Sequence, residues 1–127
     1  MTNLLAILLP IIITVESGDC DAAVGRHGEL GALQITAICV RDVNRIAGTT
    51  YTQADVKDRR KAIHMYWVYM THYMPTRYTG EISAERFFEI ATRIWNCGPD
   101  GHLQTESLRH WRKVRKLLIQ RGHINGG

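Results

Sequence analysis

The 127-residue chain reads as a mainly α-helical protein folded as one domain, residues 1–127. Apolar residues recur at helical spacing in successive segments, Gly and Pro gather at the junctions, and strand-like alternation is scarce. With 45% hydrophobic and 22% charged residues the chain can bury a single core without staples, and it carries no repeat, low-complexity tract or interdomain linker.

The first segment, Leu4 to Val15 (LLAILLPIIITV), looks like the apolar core of a signal peptide. No Lys or Arg precedes it, no small-residue cleavage pattern follows before Glu16, and it is too short to span a bilayer. A helix buried on all sides is expected, bent or started afresh at Pro10, where the amide is missing. Ser17 to Gly31 then forms a loop dense in turn formers: Gly18, Gly25, Gly28 and Gly31, with Asp19 and Asp21.

Helical spacing returns in Ile35, Ile38, Val43, Ile46 and Ala47, which fit one apolar face until Gly48 stops it. Thr52 with Asp55 suits the start of a turn near Lys57. From Lys57 to Met74, Ala62, Met65, Tyr66, Tyr69 and Tyr73 recur at helical spacing until Pro75 closes the segment. Such an aromatic stripe is expected to be core rather than a sugar platform. Ser83 caps a further helix with Phe87, Ile90, Ala91, Ile94 and Trp95 inward, and Gly98-Pro99 breaks it. Thr105 is expected to cap the last helix, in which Leu108, Trp111, Val114, Leu117 and Leu118 face inward. Arg109, Arg112, Lys113, Arg115, Lys116 and Arg121 spread around the rest. The tail, Gly122 to Gly127, is expected to fray.

A net charge of +4 favours anionic partners, such as nucleic acid, acidic lipid or wall polymer, without choosing between them. Cys20, Cys39 and Cys97 are an odd count without CxxC spacing, and His64 and His72 stand on one helix with no ligand spaced to complete a site. No metal and no cofactor is therefore expected. The loop glycines make neither a GxGxxG nor a Walker pattern and follow no strand, which argues against a phosphate cradle.

Glu16 ends the apolar run and is followed at once by Ser17-Gly18. Desolvation at the end of a buried helix disfavours a charged carboxylate, so an acid there is suited to hold a proton near neutral pH. That is what a general acid requires.

Glu16-Ser17-Gly18, then Gly28 to Ile35 (GELGALQI), Ile94 to Gly101 (IWNCGPDG) and His110 to Val114 (HWRKV) together resemble the lysozyme-like lytic transglycosylase family, which cleaves peptidoglycan. The resemblance spans nearly the whole chain, with the motifs in family order. It implies a lysozyme-like helical domain with a cleft, and Glu16 as the single catalytic acid, followed by Ser17. Gly31, Leu33 and Gln34 match the sugar-contacting loop, with Ala32 where the family has a larger apolar residue. Asn96, Gly98 and Pro99 match the second cleft wall. Trp95 departs from the family tyrosine and leaves an indole N–H as the donor there.

The implied reaction breaks the β-1,4 bond between N-acetylmuramic acid and N-acetylglucosamine. Glu16 protonates the leaving oxygen, the muramic acid 6-hydroxyl attacks, and the glutamate returns as base, giving a 1,6-anhydro product. Hydrolysis would need a second carboxylate, about 5 to 5.5 Å away if retaining or roughly 6.5 to 9.5 Å if inverting. Glu29, Asp19 and Asp21 are the candidates for it. Peptidoglycan strands are the expected partner, with no nucleic acid, no membrane span and a monomeric enzyme acting at the bacterial cell wall. The competing class is a basic binding module that uses Arg109 to Arg121.

Overall fold

The computed structural model describes residues 1–126 and is mainly helical. Five α-helices follow one another: α1 (Thr2–Ser17), α2 (Ala37–Ala47), α3 (Arg59–Tyr73), α4 (Ala84–Cys97) and α5 (Leu108–Gln120). Short 3-10 turns fill Gln53–Lys57, Met74–Thr76, Gly101–Leu103 and Thr105–Ser107.

α1 is continuous through Pro10, not restarted there. The missing amide would have bonded the carbonyl of Ala6, and both Ala6 and Pro10 lie on the exposed side, where solvent can serve that carbonyl. The helix is therefore one-sided rather than buried all round, with Leu5, Leu8, Ile11, Ile12 and Ile13 inward. Gly18 closes it in a left-handed turn whose amide reaches back to Thr14.

Caps account for the other boundaries. Thr36 accepts from the Cys39 amide and starts α2, so Ile35 falls before the helix, paired across the loop with Leu30. The inward residues of α2 are Val40 and Val43; Ile38 is 70% exposed and Ala47 is exposed, contrary to the single apolar face expected. The Thr52 amide donates to Asp55 at 2.8 Å and opens the first 3-10 turn. Asp58 accepts from the Lys61 amide and starts α3. Ser83 caps α4 through the Arg86 amide.

Thr105 does not cap α5. It begins a 3-10 turn instead, because the hydroxyl two residues on, on buried Ser107, donates to the Gly101 carbonyl at 2.6 Å and accepts from Arg93 at 2.8 Å. Arg93 is itself buried, with Nη1 on Glu89 at 2.7 Å and Nη2 on the Gln104 carbonyl at 3.0 Å. One guanidinium thus ties α4 to the turns that lead into α5.

α4 packs on α1 and α5, α1 also meets α5, and α2 lies on α3. Tyr66 joins α3 to α1 by donating its buried hydroxyl to the Leu5 carbonyl at 2.8 Å. Around it Leu8, Met65, Met70, Phe88, Ile94, Val114 and Leu118 are fully or almost fully buried, each contributing about 2 kcal/mol by leaving water. After α5 the tail does not fray at once: Gly122 and His123 donate to Ile119 and Leu118 in a Schellman closure, and Ile124 packs against the core. Gly127, the end of that tail, lies outside the described residues. Among the described residues no helix is long and apolar enough to cross a membrane.

Candidate active site

The end of α1, the Gly-rich loop, α2, α3 and the end of α4 converge on an open pocket of about 350 Å³. Glu16 reaches it from the last turn of α1. Its side chain is only 11% exposed, and His110 on α5 holds Nε2 3.0 Å from Oε1. The contact is close but off-line, so Nε2 makes no well-directed hydrogen bond.

One wall is the loop. Gln34 has a left-handed backbone, φ 50°, and both of its side-chain N–H groups serve the loop, donating to the carbonyls of Ala23 (3.2 Å) and Gly31 (3.0 Å). What Gln34 offers the pocket is its carbonyl oxygen. Glu29 also lines the pocket, while its Oε1 accepts from the His27 amide at 2.7 Å.

The facing wall is the end of α4. Trp95 is packed edge-to-face against Tyr66 and Tyr69, with ring centroids 5.5 Å apart in each case. Its indole N–H donates to the Leu33 carbonyl at 3.2 Å, so it clamps the loop to α4 and does not serve Glu16. Asn96 lines the pocket with an amide whose Oδ1 takes a weak S–H bond from Cys97 at 3.2 Å. Gly98 ends the helix at φ 92° and ψ −176°, a backbone that only glycine adopts readily, and Pro99 continues the wall.

Of the residues read from the sequence, Glu16, Glu29, Gln34, Trp95, Asn96 and Gly98 meet here. Ser17, Gly31 and Leu33 do not line the pocket. Ser17 donates to the Ile13 carbonyl and accepts from the Cys20 amide, which finishes α1. Gly31, at φ 83°, lies so close to the Val56 carbonyl that a Cβ would stand 2.2 Å from its oxygen. Leu33 is fully buried in the core. Asp19 and Asp21 turn away to Arg59, with contacts of 2.5 and 2.7 Å.

The residues that line or contact the site and went unassigned in the sequence include His110, Asp42, Cys39 and Tyr69. The HWRKV motif contains His110 but suggests no role for it. Ile38 and Asp42 are one turn apart on α2 and both border the pocket, but nothing in the sequence signals it, since Ile38 reads as part of a buried apolar face. Burial works to raise the pKa of Asp42, but hydrogen bonds from Tyr73 and Arg45, with the Arg45 charge, outweigh it and hold the carboxyl below its ordinary range. Burial, aided by Asp42, pushes the Cys39 thiol up to about 12, so this cysteine stays protonated.

No family model matches the chain, and no curated protein matches it. Among the described residues no three His, Cys, Asp or Glu side chains are placed to hold a metal ion. On α5, Arg109, Arg112, Lys113 and Lys116 are exposed, whereas Arg115 is drawn to Glu85 at 3.2 Å.

Proposed function

We propose that the chain cleaves the β-1,4 glycosidic bonds of peptidoglycan, with Glu16 as general acid and then base, in the cleft of a lysozyme-like domain. The observation that carries the reading is Glu16 itself: a nearly buried carboxyl at the edge of an open pocket, between the Gln34 loop and the Trp95 to Pro99 segment. Protonating a leaving oxygen while positive charge grows at the anomeric carbon needs an acid that is shielded from bulk water yet in reach of the ligand. Glu16 has both properties.

The fate of the other carboxylates favours transglycosylation over hydrolysis. A hydrolase needs a second, basic or nucleophilic carboxylate facing the sugar. Asp19 and Asp21 are committed to Arg59, and Asp42 is held by Arg45 and Tyr73. With no free base in those positions, the 6-hydroxyl of muramic acid is the natural nucleophile, and the product ends in a 1,6-anhydro ring. Glu29 is the observation behind the second reading, lysozyme-type hydrolysis, because it lines the same pocket. Glycan strands are the partner in either case, and the bacterial wall is the site of action.

Incubating purified walls with the protein and with Glu16→Gln tests the reading. Soluble muropeptides should appear only with the parent chain, and their mass should lack the water that hydrolysis adds. Products that carry that water select the Glu29 reading. Undiminished release by Glu16→Gln refutes both, and wall binding indifferent to Glu16, without products, selects a basic binding module on α5.

A further inference from the structure

Asp42 shares the pocket with Glu16 but is built for a different task. Its side chain is 19% exposed. The Tyr73 hydroxyl donates to Oδ2, and Arg45 donates to Oδ1 from Nε at 3.2 Å and from Nη2. Tyr73 is in turn fixed: its ring packs on Tyr69 at 4.8 Å, and the Arg77 guanidinium lies 5.3 Å above it. Arg77 donates to the carbonyl of Pro99 on the facing wall. Tyr69 continues to Trp95, edge to face. Asp42 is therefore the polar end of a rigid aromatic row, not a surface acid free to move.

Those partners decide its chemistry. A carboxylate gripped by a guanidinium and a phenol is a weak base and a poor nucleophile, so it suits neither proton removal nor attack on carbon. Arg45 already balances its charge, so a cationic ligand would gain little. Oδ1 takes both Arg45 donors, but Oδ2 receives only the Tyr73 hydroxyl and still has acceptor capacity for a ligand. A fixed acceptor with a free lone pair in an open pocket matches a neutral sugar ring, whose hydroxyl or N-acetyl N–H groups donate to the oxygen.

We propose that Asp42 is a substrate-positioning residue that accepts hydrogen bonds from the hydroxyl or N-acetyl N–H groups of a glycan in the Glu16 pocket. The proposal rests on the glycan-cleaving reading of that pocket. Losing a hydrogen bond to a charged acceptor weakens binding by about tenfold or more.

The test uses Glu16→Gln as the parent, so that turnover does not confuse binding, and β-1,4-linked N-acetylglucosamine trimer as the probe in an NMR titration. Adding Asp42→Asn should weaken trimer binding by roughly tenfold. Adding Tyr73→Phe, which removes the hydroxyl that fixes Oδ2 without touching the charge, leaves the acceptor less well placed and should weaken binding by a factor of about two to five, and it serves if Asp42→Asn folds poorly. On purified walls Asp42→Asn alone should raise KM much more than it lowers kcat.

Trimer affinity equal to that of the Glu16→Gln parent in both added variants overturns the role of Asp42 and leaves the glycan pocket standing. A collapse of kcat at unchanged KM overturns it as well, by making Asp42 part of the chemistry. Failure of Glu16→Gln itself to bind trimer, with its fold intact, removes the underlying glycan reading and this role with it.

Discussion

Replacing His110 with Ala is the most direct probe of how Glu16 is held. The imidazole stands 3.0 Å from Oε1 of a side chain that is only 11% exposed, so its removal leaves a void beside the acid and frees the carboxyl to rotate. The approach is not a directed hydrogen bond, so its worth lies in holding the acid in place: misplacing a reacting group by about 1 Å can cost on the order of 100-fold, and a loss of roughly 10–100-fold in kcat/KM is expected. Release of soluble muropeptides from purified walls, measured against substrate concentration, separates the terms. The loss should fall on kcat with KM little changed, since His110 touches the acid and does not line the pocket. His110→Gln, which can place an amide near the same point, should recover part of the rate. Glu16→Gln with His110→Ala should be no worse than Glu16→Gln alone, because the two act as a unit. A His110→Ala variant within twofold of the parent, or a double variant whose losses add, refutes the reasoning.

Two further predictions concern the scaffold. Arg93→Ala leaves Glu89, Ser107 and the Gln104 carbonyl without their shared partner, which should cost about 3 kcal/mol and lower Tm by roughly 10 °C in a thermal melt. Cys39, its thiol pushed from an ordinary 9.0 up to about 12, should resist iodoacetamide at pH 8 while exposed Cys20 reacts, as read by peptide mass. Because its folded pKa is raised, Cys39 adds stability that is whole below about pH 9 and is lost as pH rises toward 12; Cys39→Ala should flatten that alkaline decline in a pH series of melts.

Helix boundaries were legible wherever the stop or cap is made within a few residues. Ser83, Gly48, Gly18 and the Thr52–Asp55 pair act on backbone that the same stretch supplies, so their meaning survives without knowing the fold. Errors arose where a distant partner decides. Thr105 has a capping residue's chemistry, but Arg93, from another helix, captures Ser107 and draws the strand of chain into a 3-10 turn first. Pro10 looks like a break until its missing bond is seen to fall on the exposed side of α1. Ile38 looks like core and instead borders the pocket, because α2 presents that face to the opening.

The candidate site shows the same division, and it explains why acids of equal appearance in the sequence have unequal prospects. Residue type nominates Glu16, Asp19, Asp21, Glu29 and Asp42 alike; only their partners separate them. Arg59 neutralises the two loop aspartates outside the pocket, Arg45 and Tyr73 weaken Asp42 as a base, and the His27 amide occupies one oxygen of Glu29. Glu16 receives an off-line approach from His110 and, among the described residues, no directed hydrogen bond. A carboxyl that must give up a proton and take one back is best left with its lone pairs uncommitted and its position fixed by packing. Under the proposed function, that criterion favours the acid at the end of α1 for proton exchange with a ligand, ties Asp19 and Asp21 to Arg59, and leaves Glu29 and Asp42 facing the pocket with part of their acceptor capacity already taken.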